Sequence, residues 1–125
     1  MKKVIATNQT PKAIGPYSQG IRAGGFVFCS GQIALHPESG EIVGQTAAEQ
    51  CKQVMKNIGG ILKAAGLDYS DIVKTTLCLA DIGDFVAVNE VYGKYFPGDP
   101  PSRAAIAVAA LPKDARIMID AIAVE

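Results

Sequence analysis

The chain has no tryptophan, a single histidine, three cysteines and no net charge, its 12 Lys+Arg balancing its 12 Asp+Glu. Each shortage removes a class of function. His36 sits alone in a His-Pro-Glu-Ser-Gly turn, so one chain cannot build a histidine metal cluster, and a Ser-His-Asp or Cys-His nucleophile is disfavoured. Cys29, Cys51 and Cys78 are odd in number, far apart and set among apolar neighbours without a C-x-x-C, the pattern of packed reduced thiols rather than disulfides or a metal site. Zero net charge supplies no long-range field for nucleic acid or an anionic membrane. No segment approaches the roughly 18 apolar residues of a membrane span, and Lys2-Lys3 is not followed by the apolar core of a signal peptide. Neither G-x-G-x-x-G nor a Walker motif is present, so a nucleotide cofactor has no support. A cytoplasmic protein with one domain, 1–125, is expected.

What is present is organised. Residues 19–23 and Phe26 to Cys29 flank Gly24-Gly25 and read as a hairpin that Ser30-Gly31 ends. Thr46 to Glu49 forms a capping box, and Ala47, Cys51, Val54, Met55, Ile58, Leu62 and Ala65 recur at the helical period up to a stop at Gly66. Ile72 to Ala80 reads as a strand, and a second helix starts near Asp84 with Phe85, Val88, Tyr92 and Tyr95 on one stripe before Pro97. Two further apolar runs, about 103–110 and 116–124, read as strands joined through Leu111 to Ala115. The order gives an α+β fold, two amphipathic helices covering one face of a sheet. In the last three strands both alternating sides are largely apolar, so the second face should be buried by further copies of the chain. Dimer and trimer both satisfy this pattern.

The last two strands carry one arginine, Arg103, and one acid, Asp120, charges that need partners if buried. If these strands form a hairpin centred near Pro112-Lys113, position 103 faces about 122, and Asp120 lies on the Arg103 face one diagonal step away. Spacing leaves open whether they form a structural ion pair or whether Arg103 offers its fork to a ligand carboxylate while Asp120 holds water. Asn89 falls on the apolar stripe of the second helix, as a core amide or as a pocket contact. Tyr17 lies in a loop after Ile14-Gly-Pro16, placed to pack over an edge or to cover a ligand. Ser30-Gly31 is a turn former that also lets backbone N–H groups approach an anion.

Taken together, Ile14 to Gly20 (IGPYSQG), Ser30-Gly-Gln32, Asp71 to Thr76, Val88 to Tyr92, Pro101-Ser-Arg103, Leu111 to Asp114 and Ile119 to Val124 resemble the RidA/YjgF family of reactive-intermediate deaminases. The resemblance covers nearly the whole chain. It implies a chorismate-mutase-like subunit, a homotrimer around a sheet-lined barrel and ligand clefts between subunits. It further implies hydrolysis of enamines and imines such as 2-aminoacrylate to a 2-oxo acid and ammonia, without metal or other cofactor. Carried over, Arg103 clamps the substrate carboxylate, Tyr17 and Asn89 shape the cleft, Ser30 and Gly31 supply backbone and hydroxyl contacts, Ala105 contributes through its backbone, and Asp120 positions water. The chain departs from the family's deaminase pattern at two of these positions, with Asp120 in place of glutamate and Ala105 in place of cysteine. The shorter acid falls about an ångström short, a displacement that can cost on the order of 100-fold in rate. A non-catalytic trimer that senses small 2-oxo or amino acids is therefore the alternative. RNA cleavage, reported for relatives, finds little footing in a neutral chain with sparse Lys/Arg clustering.

Overall fold

A computed structural model describes residues 1–125. Lys3–Ile5 (β1), Gly20–Ala23 (β2) and Phe26–Gln32 (β3) lead to a long helix, Ala47–Ala64 (α1). Ile72–Leu79 (β4), Phe85–Gly93 (α2), Ser102–Ala107 (β5) and Ile117–Val124 (β6) follow. The strands form one sheet in the order β1-β2-β3-β6-β4-β5. Both helices lie on the same face: α1 crosses β6 and β3, and α2 packs beside α1.

Local chemistry explains the elements. Thr46 accepts from the Glu49 N–H while the Glu49 carboxylate accepts from the Thr46 N–H, so two otherwise orphaned donors at the start of α1 are paired. At its other end Gly66 adopts φ +76°, and the N–H groups of Gly66 and Leu67 return to the carbonyls of Lys63 and Leu62, closing a Schellman motif. Between these stops Cys51, Val54, Met55, Ile58, Ile61 and Leu62 are fully buried against the sheet. The β2–β3 turn needs left-handed backbone at both central positions, and Gly24 (φ 58°) and Gly25 (φ 82°) provide it.

Two expectations are corrected, and one strand is new. Ser30-Gly31 does not end β3: the strand runs on to Gln32 through a bulge, because the register with β6 shifts between Cys29 and Gln32. A strand unseen in the sequence, β1, joins the edge antiparallel to β2, its short alternation hidden beside the charged start of the chain. Finally, β5 and β6 do not form a hairpin. β4 lies between them, parallel to β5 and antiparallel to β6. In β4 Thr75 pairs with Arg103 and Thr76 with Asp120. Neighbouring residues on a strand point to opposite faces, so Arg103 lies on the helix face and Asp120 on the open one. The diagonal contact between them does not exist.

The open face is apolar. Val4, Phe26, Phe28, Ile106 and Val124 are all exposed, and β5 ends the sheet with a free edge. Ala121 and Ala123 are buried under the helices, whereas Ala104, Ala107, Ala109 and Ala110 are exposed.

Candidate functional site

Arg103 owes its position to α2. Phe85, Asn89 and Tyr92 sit at i, i+4 and i+7 and form one ridge over β5. The Arg103 guanidinium lies 5.2 Å from the Phe85 ring centre and 5.0 Å from that of Tyr92, and its Nη1 donates to Asn89 Oδ1 at 2.8 Å. Two aromatic faces and one amide thus fix the direction of the fork while leaving its charge unneutralised. The only salt bridge in the chain, Arg22 with Glu125, is elsewhere. Tyr92 is anchored in turn by a 2.7 Å bond between its hydroxyl and that of buried Thr75. Burial pushes the Tyr92 phenol up, while the Thr75 bond and the Arg103 charge pull it partly back, so the ring stays neutral beside the cation. Asn89 is half-buried and serves as a polar contact rather than a core amide. Ala105, two residues along β5, faces the same side and packs against the core.

A second group gathers around β3. Tyr17 is half exposed and lines, with Ile14, Gly31, Ile33, Leu35 and Met118, a cavity of about 290 Å³. At Gly31 a Cβ would stand 3.0 Å from the Met118 sulfur, a tight contact that the flexible methionine would have to relieve. Both donors of Ser30 are engaged: its N–H donates to the Gln19 carbonyl at 2.9 Å and its hydroxyl to the Ser18 carbonyl. Ser30 therefore ties down the Tyr17 loop. Asp120, on the neighbouring strand β6, is exposed, and its Oδ1 accepts from the Thr76 N–H at 3.1 Å. Burial, followed by the Asp120 charge, pushes the Cys29 thiol up to about 12. Burial alone raises Cys51 to about 12, and burial followed by the Asp120 charge raises Cys78. All three thiols are free, buried and protonated, which removes them as nucleophiles.

The expected residues thus fall into two groups, Arg103 with Asn89 and Ala105 at the β5 edge, and Tyr17 with Ser30 and Gly31 around β3, with Asp120 beside them on β6. β6 and β4 stand between them, so about 14 Å of sheet separates the two backbones at ordinary strand spacing. Phe85 and Tyr92 were readable in the sequence only as core stripe. Their spacing with Asn89 was the available signal, but it gains meaning only once β5 is known to lie beneath α2.

An α+β subunit with an unpaired arginine held over an exposed sheet edge presents a planar fork of donors whose geometry matches a carboxylate. The family model described as Endoribonuclease L-PSP matches residues 7–125. The chain is 54% identical over 125 residues to 2-iminobutanoate/2-iminopropanoate deaminase of Rattus norvegicus, covering 100% of this chain and 91% of that protein. It is 52% identical over 122 residues to Reactive Intermediate Deaminase A, chloroplastic, of Arabidopsis thaliana, covering 98% of this chain and 65% of that longer protein. The crystal structure of E. coli TdcF with bound serine superposes with a TM-score of 0.93 at 43% identity, covering 98% of each chain. The chain belongs to the RidA/YjgF family.

Proposed function

We propose that this protein is a hydrolytic deaminase of small enamines and imines, 2-aminoacrylate, 2-iminopropanoate and 2-iminobutanoate, giving a 2-oxo acid and ammonia. The observation that carries the reading is the Arg103 guanidinium, stacked between two rings, bonded to Asn89 and without any carboxylate of its own. The names of the rat and Arabidopsis relatives, and the serine bound in TdcF, agree with a small carboxylate-bearing ligand.

In this reading the enamine tautomerises to the imine, whose carboxylate takes the bidentate fork of Arg103. A water held by Asp120 of a second subunit, because Arg103 and Asp120 of one chain lie on opposite faces of the sheet, adds to the imine carbon. One water proton passes to the nitrogen, and the carbinolamine collapses to C=O as ammonia leaves. The imine carbon is already electrophilic, so orientation and water positioning suffice and no cofactor is called for. Tyr17, Ser30 and Gly31 close the cleft from a second subunit, because the β5 group and the β3 group are too far apart to meet in one chain. The assembly is a homotrimer burying the apolar open faces, with each chain, 1–125, acting as one domain. Three free buried thiols support a reducing, cytoplasmic setting.

The test is semicarbazone formation from freshly generated 2-iminobutanoate, with and without protein, for the wild type and Arg103→Ala. The wild type lowers semicarbazone yield in favour of 2-oxobutyrate, and Arg103→Ala loses about 100-fold or more in kcat/KM. No acceleration over buffer by the wild type sinks the reading. The short acid at 120 favours one competitor, a trimeric sensor that binds without turnover. Saturable heat with 2-oxobutyrate, abolished in Arg103→Ala, together with no turnover, would select it.

A further inference from the structure

Residues 6–19 form a long loop with no helix or strand, and it carries Tyr17. Loops of this length are ordered by something other than their own backbone. Within residues 6–18 the only backbone–backbone hydrogen bond runs from Tyr17 N–H to the Gly15 carbonyl. The loop is held instead by buried amides and by two hydroxyls, that of Thr10 and that of Ser30, which donates to the Ser18 carbonyl. Gln19 donates from Nε2 to the carbonyls of Thr7 (3.1 Å), Thr10 (3.0 Å) and Pro11 (2.8 Å), and its Oε1 accepts from the Thr7 N–H at 2.7 Å. Thr10 Oγ1 donates to the Asn57 carbonyl at 2.7 Å. Asn57, fully buried on α1, donates from Nδ2 to the carbonyls of Ile33 (3.2 Å) and Leu35 (2.9 Å), and its Oδ1 accepts from Gln53 Nε2 at 2.9 Å. Gly60 completes the seat: a Cβ there would come within 2.4 Å of Thr10 Oγ1 and 3.0 Å of the Gln9 carbonyl.

The two ends of this chain of bonds reach residues that line one cavity, Pro11, Ile14 and Tyr17 at one end and Ile33 with Leu35 at the other. Apolar side chains of equal volume would fill the same space, so packing alone does not call for amides here. Fully satisfied buried polar networks specify one geometry among several compact ones. We propose that Gln19, Thr10 and Asn57 are positioning residues: they lock the Tyr17 loop and the Ile33–Leu35 wall to α1 and so set the width of the cleft and the place of the Tyr17 phenol. The kinetic part of this inference rests on the deaminase reading, while its structural part does not.

The test is Gln19→Met, which keeps volume and removes all four bonds, combined with Tyr17→Ala in a double-mutant cycle. Trimer state and melting temperature are checked first, and kinetics are read well below the melting temperature. Gln19→Met lowers kcat/KM for 2-iminobutanoate about tenfold, and adding it to Tyr17→Ala costs less than about twofold more, because Gln19 acts through Tyr17. Hydrogen exchange of the residue 7–17 amides speeds by about tenfold or more while that of α1 is unchanged. Additive losses in the cycle, or unchanged exchange in the loop, overturn the inference. If Gln19→Met does not fold, Thr10→Val removes the bond to Asn57 at a smaller perturbation and is read the same way. If the wild type does not hydrolyse the imine, the deaminase reading falls alone and the exchange measurement still decides whether these residues lock the loop.

Discussion

Asp120 and Arg103 differ in how firmly they are held. The arginine is fixed by two rings and an amide, while Asp120 reaches only as far as the Thr76 N–H of its own sheet. Lengthening the acid by one methylene extends it away from that bond toward the open face. Asp120→Glu is therefore expected to raise kcat on 2-iminobutanoate by up to about 100-fold with little change in the affinity for 2-oxobutyrate. Steady-state kinetics and calorimetry on the same preparation check both halves. Thr75 governs the arginine at one remove. Thr75→Val leaves the Tyr92 hydroxyl buried without its partner and should cost about 1–3 kcal/mol in urea denaturation, with weakened 2-oxobutyrate binding.

At the scale of elements, the two ends of α1 offer a clean contrast with the β5–β6 connection. Gly66 has open space around the position of a missing Cβ, so Gly66→Ala meets backbone strain alone and should cost about 1 kcal/mol. In the connection, Lys113 (φ 55°) and Asp114 (φ 56°) sit side by side in the left-handed region without being glycine. Lys113→Gly relieves more strain than its added unfolded-state entropy costs and should raise stability by about 0.5–1 kcal/mol in thermal or urea unfolding. α1 was legible in the sequence because a capping box, a 3.6-residue period and a stop glycine are all local signals. The pairing of β5 was not. β4, α2 and β5 form a crossover unit whose two strands lie parallel and adjacent, which drives β6 to the other side of β4. Two apolar runs separated by a short polar stretch look the same whether they pair with each other or with a third strand between them. The site inherited that ambiguity: the residue types were readable one by one, but the Arg103–Asp120 contact depended on a register that the crossover forbids.

The whole molecule presents an apolar sheet face and an unpaired edge strand that a lone subunit would leave in water. Phe28→Glu, placing a charge at the middle of that face, should dissociate the proposed homotrimer to folded monomers, read by light scattering with circular dichroism unchanged. The buried thiols give the molecule an alkaline limit. Cys29 and Cys51 stay protonated in the folded chain up to about 12, against an ordinary value of 9.0. Above that ordinary value the unfolded chain has lost protons that the folded chain keeps, so stability is full below pH 9 and falls as pH rises toward 12. Urea midpoints measured at intervals across that window should decline, and Cys51→Ala should flatten the decline.

The distance between the β5 and β3 groups has a genetic consequence. A subunit lacking Arg103 still carries an intact Tyr17 loop, and a subunit lacking Tyr17 still carries an intact arginine. Co-expressed in one cell, Arg103→Ala and Tyr17→Ala chains, each impaired alone, should mix in the proposed homotrimer so that about one cleft in four draws both of its halves from unmutated segments. Two impaired alleles would then complement each other, whereas a site contained within a single chain never could.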